Sequence, residues 1–245
     1  MEEMRIVIRK KYTMDRELSA WRWEVQQLKE DLAQKNWALR EAKVALAEYE
    51  GGIQSFFHKL SGKFADKQEA LSKQVRIAQA AQDYCESQLA SAKAALQDLE
   101  EAAAKLPTRE ELFVQYPDSD YLKQQDTLLC ADRAIRLLRK NERFLLEARD
   151  WAENRNADFN PLGIQYDKTV SLNKAADCAR EIWLLMEQIR SCGFGLDTHS
   201  YFRNPDGFIA GVARQYGQLD QINFALRAVR ETLGILQELQ QQLAD

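Results

Sequence analysis

With 245 residues, 45% of them hydrophobic and 29% charged, the chain can bury a core without disulfides or metals, and general disorder is excluded. Ten Gly and four Pro leave too few turn residues for a β-rich fold. Lys and Arg number 34 against 38 Asp and Glu, a net charge of −4 with a pI near 5.5, which disfavours a protein built to coat nucleic acid.

The N-terminus holds only three consecutive apolar residues, Ile6, Val7 and Ile8. A secretory signal needs roughly seven to fifteen, and no window approaches the ~20 needed to span a bilayer, so a soluble, cytoplasmic protein is expected. Residues 4 to 9 are β-branched enough for a short strand, but a lone strand has nothing to pair with, and they are read as the start of the first helix. From about Thr13 to Glu50 there is no Gly or Pro, and Leu18, Val25, Leu32, Leu39 and Leu46 recur every seventh position. Trp21, Leu28, Lys35, Ala42 and Tyr49 follow three residues on, so the a/d pattern of a heptad seam is kept with one charged intruder, Lys35.

Gly51 and Gly52 break this helix. A second glycine-free run, about Lys63 to Lys105, carries Phe64, Leu71, Val75, Ala78, Cys85, Leu89, Ala92, Leu96 and Leu99 on one stripe. Two runs of matching length joined by a short connection favour antiparallel neighbours. Pro107 ends the hairpin, and Thr108 with Glu111 has the form of a capping box that opens the next element. The expected organisation is a helical hairpin over residues 1–106, with its tip at about 51–64, and a C-terminal bundle over 107–245.

Within the bundle, Tyr116-Pro117-Asp118-Ser119 suits a turn. A helix from about Asp120 to Ala157 buries Leu128, Ala131, Ile135, Leu138, Leu145 and Ala148. A loop is expected over 156–166, then a helix from roughly Asp167 to Ser191 that stops at Cys192-Gly193, where Gly193 can take the left-handed cap. A second loop is expected over 195–201. Asn204-Pro205-Asp206 reads as the start of one last helix, whose heptads are Val212, Leu219, Leu226 and Leu233 beside Ile222, Val229, Leu236 and Leu243. The fold class is therefore all-α: a long antiparallel coiled-coil hairpin followed by a helical bundle.

The candidate contact site is the hairpin tip. Ile53, Phe56, Phe57, Leu60 and Phe64 follow helical spacing along one apolar face, with Lys59 and Lys63 on the other. Residues 53 to 76 hold five Lys or Arg against two Asp or Glu, a local charge of +3 in an acidic chain. That combination suits an acidic partner groove or an anionic membrane surface. The competing reading is that the phenylalanines close the end of the hairpin core.

A second cluster, Arg133, Arg136, Arg139, Lys140 and Arg143, lies with Glu142, Glu147 and Asp150 alongside, and reads first as a salt-bridged solvated face. His199 with Cys192 has the residue types of a nucleophile pair or metal site, but a polar loop residue is the simpler reading. Cys85, Cys130, Cys178 and Cys192 form no C-x-x-C pair. No phosphate-binding loop, dinucleotide fingerprint, zincin motif or hydrolase elbow is present, so no catalytic residue, cofactor or metal is assigned. The function expected is a structural or protein-interaction protein with a homo-oligomeric or other protein partner. The alternatives are a peripheral membrane protein that uses the tip, and an enzyme or ligand-binding bundle with a site near 192–206.

Overall fold

The computed structural model describes residues 2–52, 64–153, 161–197, 199–214 and 218–244. Among the described residues there are eight helices and no strand: α1 (Glu2–Gly51), α2 (Phe64–Ala103), α3 (Arg109–Gln115), α4 (Asp120–Glu153), α5 (Pro161–Ser191), α6 (Ser200–Arg203), α7 (Pro205–Arg214) and α8 (Gln218–Ala244). The chain is an all-α protein with an antiparallel helical hairpin followed by a bundle. Its contacts divide it into two compact units, residues 14–106 and residues 1–13 with 107–245.

The hairpin unit follows from the heptads. Leu18, Val25, Leu39 and Tyr49 on α1 are buried, as are Cys85, Leu89 and Ala92 on α2. Val25, Leu89 and Ala92 form the centre of a cluster completed by Leu28, Leu32 and Leu96. The order of contacts fixes the direction: Arg22 donates to Glu100 at 2.8 Å, the Cys85 thiol to the Leu28 carbonyl at 3.6 Å and Gln68 to Glu50 at 2.8 Å. Later residues of α1 meet earlier residues of α2, so the pair is antiparallel. Trp21 and Lys35, both at d positions, are exposed.

The bundle unit begins with the first three turns of α1. Residues 4 to 9 are helical, and Ile8 and Tyr12 are buried against Leu112, Leu122 and Leu129. Thr108 closes the capping box onto α3, its hydroxyl accepting from Glu111 N at 3.2 Å while the Glu111 carboxylate accepts from Thr108 N at 2.8 Å. α4 and α5 run antiparallel in a fixed register: Cys130 meets Gln188, Asn141 meets Ala175 and Ser171 meets Glu147. α8 is also antiparallel to α4, with Arg230 on Glu142 and the Gln124 amide on the Leu243 carbonyl. Leu138, Leu145, Ile182, Ile189, Ile222 and Val229 are fully buried in the shared core.

Three sequence expectations change. α5 begins at Pro161, about two turns before Asp167, because proline's fixed φ and missing N–H suit the first helical position. The loop expected over 195–201 contains the start of a short helix, α6, whose N-cap is His199. The single last helix is two, α7 and α8. Gly211 of α7 lies against the Gln221 side chain, where a Cβ would sit 3.2 Å from its oxygen. A continuous helix would hold residues ten apart about 15 Å from each other, so α7 and α8 are not one continuous helix.

The stop at Gly193 is as expected. Its φ is +94°, and Gly193 N bonds to the Arg190 carbonyl at 2.9 Å while Phe194 N bonds to the Ile189 carbonyl at 3.4 Å, the paired bonds of a Schellman cap. A Cβ at Gly193 meets nothing within 4 Å, so the cost of adding one is backbone strain alone. Gly193→Ala is expected to lower stability by about 1–2 kcal/mol in urea unfolding, with native helicity retained.

Candidate functional site

Six of the seven tip residues, Ile53, Phe56, Phe57, Lys59, Leu60 and Lys63, lie outside the described residues. The seventh, Phe64, opens α2 and stacks on Tyr49 of α1, ring centroids 5.5 Å apart and planes 16° from parallel. Tyr49 is itself buried. The described end of the hairpin is thus pinned by an aromatic pair next to the Glu50 to Gln68 hydrogen bond.

The sides of the arm carry residues that heptad logic does not call for. Trp37 and Val44, seven apart on α1, are 62% and 48% exposed. Ile77 and Tyr84, seven apart on α2, are 59% and 69% exposed. Seven-residue spacing puts each pair on one line along its helix, away from the buried seam. Beside Val44, an open groove of about 410 Å³ is lined by Asn36, Leu39, Arg40, Lys43, Val44 and Ala47. Its floor is apolar and its rim carries two cations, neither of which has a carboxylate partner among the described residues. The signal was present in the sequence as large apolar residues at outward heptad slots.

A buried polar knot lies in the bundle unit. Asp126 is 1% exposed and accepts from the Tyr12 hydroxyl at 3.0 Å and from Arg109 through both oxygens at 2.6 Å. The Cys192 thiol points at the same carboxylate, 3.6 Å away. Burial, and then the neighbouring Asp126 charge, pushes the Cys130 thiol up to about 12, and burial raises Cys192 as well. Raised thiols are poor nucleophiles. The knot joins α1, α3, α4 and the end of α5, which is a structural task.

His199 and Cys192 go to different partners. The His199 Nδ1 accepts from Tyr201 N at 3.4 Å and its ring meets Phe224 edge-on at 4.6 Å, while Cys192 faces Asp126. Among the described residues no group of His, Cys, Asp and Glu is placed to hold a metal ion. Of the basic cluster on α4, Lys140 and Arg143 lie over the Phe144 ring at 5.8 and 5.2 Å, and Arg143 reaches Glu147 at 3.8 Å. Among the described residues no helix is long and apolar enough to cross a membrane.

No family model, curated protein or solved structure matches the chain.

Proposed function

We propose that this chain is a structural interaction protein whose helical hairpin serves as an arm for engaging a protein partner. The observation that carries this reading is the exposure of Trp37, Val44, Ile77 and Tyr84 on the arm. Large apolar groups repeated at outward positions contribute nothing to the hairpin's own core, whereas a docking partner would bury them. The tip sequence, with Phe56 and Phe57 beside Lys59 and Lys63, extends the same chemistry to the end of the arm. A cytoplasmic location belongs to this proposal.

A second reading has its own support in the +3 charge of residues 53 to 76 next to the tip phenylalanines. Basic, amphipathic segments of this kind bind anionic lipid surfaces, so peripheral membrane contact through the tip is the alternative.

The test is light scattering coupled to size exclusion on the full chain and on its Phe56→Ser, Phe57→Ser variant, each with and without anionic phosphatidylserine vesicles. Assembly that is lost in the variant at unchanged helicity supports a protein contact at the tip. Assembly that persists while vesicle co-elution disappears supports the membrane contact. A variant indistinguishable from wild type in both arms removes the tip from either function.

A further inference from the structure

The outward face of α1 carries charges in a pattern that its own hairpin does not use. Trp37 and Val44 form the apolar line of that face, and the charged residues around them divide by sign. Arg40 follows Trp37 by three residues and Glu41 by four, which sets them about 50° to opposite sides of the line. Lys43, three residues after Arg40, lies on the basic flank, and Glu48, seven after Glu41, lies on the acidic one. All four are exposed, and among the described residues none takes an ion pair or a side-chain hydrogen bond. The open groove beside Val44 is lined by α1 residues alone, so what fills it comes from outside the hairpin.

A partner for this face must be apolar along its middle, acidic beside the basic flank and basic beside the acidic flank. A uniformly acidic helix would satisfy Arg40 and Lys43 but be repelled by Glu41 and Glu48. A second α1 meets all three requirements when the two helices run parallel and in register, because parallel packing sets opposite flanks side by side. Arg40 of each copy then lies beside Glu41 of the other and Lys43 beside Glu48, with Trp37 on Trp37 and Val44 on Val44. Antiparallel packing would bring like flanks together, cation against cation and acid against acid. Glu30 bounds the contact, since it stands seven residues before Trp37 and would face its own copy. The pairing is therefore confined to the last two heptads of α1, a small interface that makes a weak, concentration-dependent dimer.

We infer that the outward face of α1 around Trp37 and Val44 pairs with the same face of a second copy of this chain, parallel and in register. The inference rests on the proposal that the hairpin is a protein-docking arm, and it makes the chain itself the partner of this face. Trp37 and Val44 supply the buried area, and the split charges fix direction and register.

The test is sedimentation equilibrium of the full chain over a concentration series, joined to cysteine cross-linking under mild oxidation. Wild type is compared with Trp37→Ser, Val44→Ser on α1, with Ile77→Ser, Tyr84→Ser on α2, and with Arg40→Glu, Lys43→Glu. The substituted side chains are all exposed, and circular dichroism checks that helicity is unchanged. The expected result is a wild-type dimer that is at least about tenfold weaker in the Trp37, Val44 and the Arg40, Lys43 variants, and unchanged in the α2 variant. Val44→Cys is expected to cross-link to itself above the background set by the four native cysteines, and Ile77→Cys is not. A wild type that stays monomeric up to about 1 mM overturns the pairing and leaves the arm to a different protein. A dimer weakened only by the α2 variant also overturns it, while keeping the arm as the contact. A dimer indifferent to both the α1 and α2 variants overturns it and takes the arm out of assembly altogether. Cross-linking of a Trp37→Cys chain to a Val44→Cys chain in preference to Val44→Cys with itself means antiparallel packing, and overturns the pairing as stated.

Discussion

Asp126→Ala is expected to lower the unfolding free energy by about 2–4 kcal/mol, measured by urea denaturation, with the slope against urea unchanged. The carboxylate is essentially inaccessible and collects the Tyr12 hydroxyl, both arms of the Arg109 fork and the Cys192 thiol. Removing it leaves a buried phenol and an arginine that has already given up part of its hydration. Arg109 is two-fifths exposed, so water recovers some of the lost pairing, and the expectation sits below the 3–5 kcal/mol of a fully buried pair. Tyr12→Phe removes one bond and leaves the Arg109 fork in place, so its cost should be nearer 1 kcal/mol. A loss for Asp126→Ala no larger than that of Tyr12→Phe would mean that the Arg109 fork contributes little and that the knot is held by packing of Ile8, Leu112 and Leu122 alone.

How far the sequence spoke for this fold depends on the range of the signal. The hairpin was legible because a heptad seam is periodic. Every residue assigned to the α2 stripe is buried or partly buried, and the exposed exceptions on α1, Trp21 and Lys35, stand at two d positions. The caps were legible because each is a short chemical grammar: Thr108 with Glu111, Asn204 before Pro205, and Gly193. What was missed is non-periodic or tertiary. The division into α7 and α8 falls inside an unbroken heptad register running through Val212 and Leu219, so periodicity argued for one continuous helix. The short helix α6 has no period to display. The Asp126 knot joins residues 17, 66 and 114 positions apart, a separation no local pattern reports. The charges of α4 combine both ranges: Glu147 pairs with Arg143 one turn away, as the sequence suggests, whereas Glu142 reaches Arg230 on α8, 88 positions on.

The second large effect is expected at one of those missed elements. Tyr201, in α6, is 2% exposed, packs edge-on against Phe208 at 5.0 Å, and donates its hydroxyl to Asn141 Oδ1 at 3.1 Å. The Asn141 amide donates in turn to the Ala175 carbonyl at 2.7 Å, so the ring ties α6 to both α4 and α5. Burial drives the phenol pKa upward, against the opposing Asn141 bond, and the hydroxyl stays protonated as a donor through the neutral range. Tyr201→Ala should cost about 3–5 kcal/mol, because the ring leaves a cavity in a core lined by Phe202, Phe208 and helix α5. Tyr201→Phe keeps the ring and leaves the buried Asn141 oxygen without its donor, for about 1–2 kcal/mol. Thermal and urea unfolding of the two variants separates the terms. If Tyr201→Phe were as damaging as Tyr201→Ala, the hydrogen-bonded chain through Asn141 would be what anchors α6. A near-neutral Tyr201→Phe would show that ring packing alone holds it.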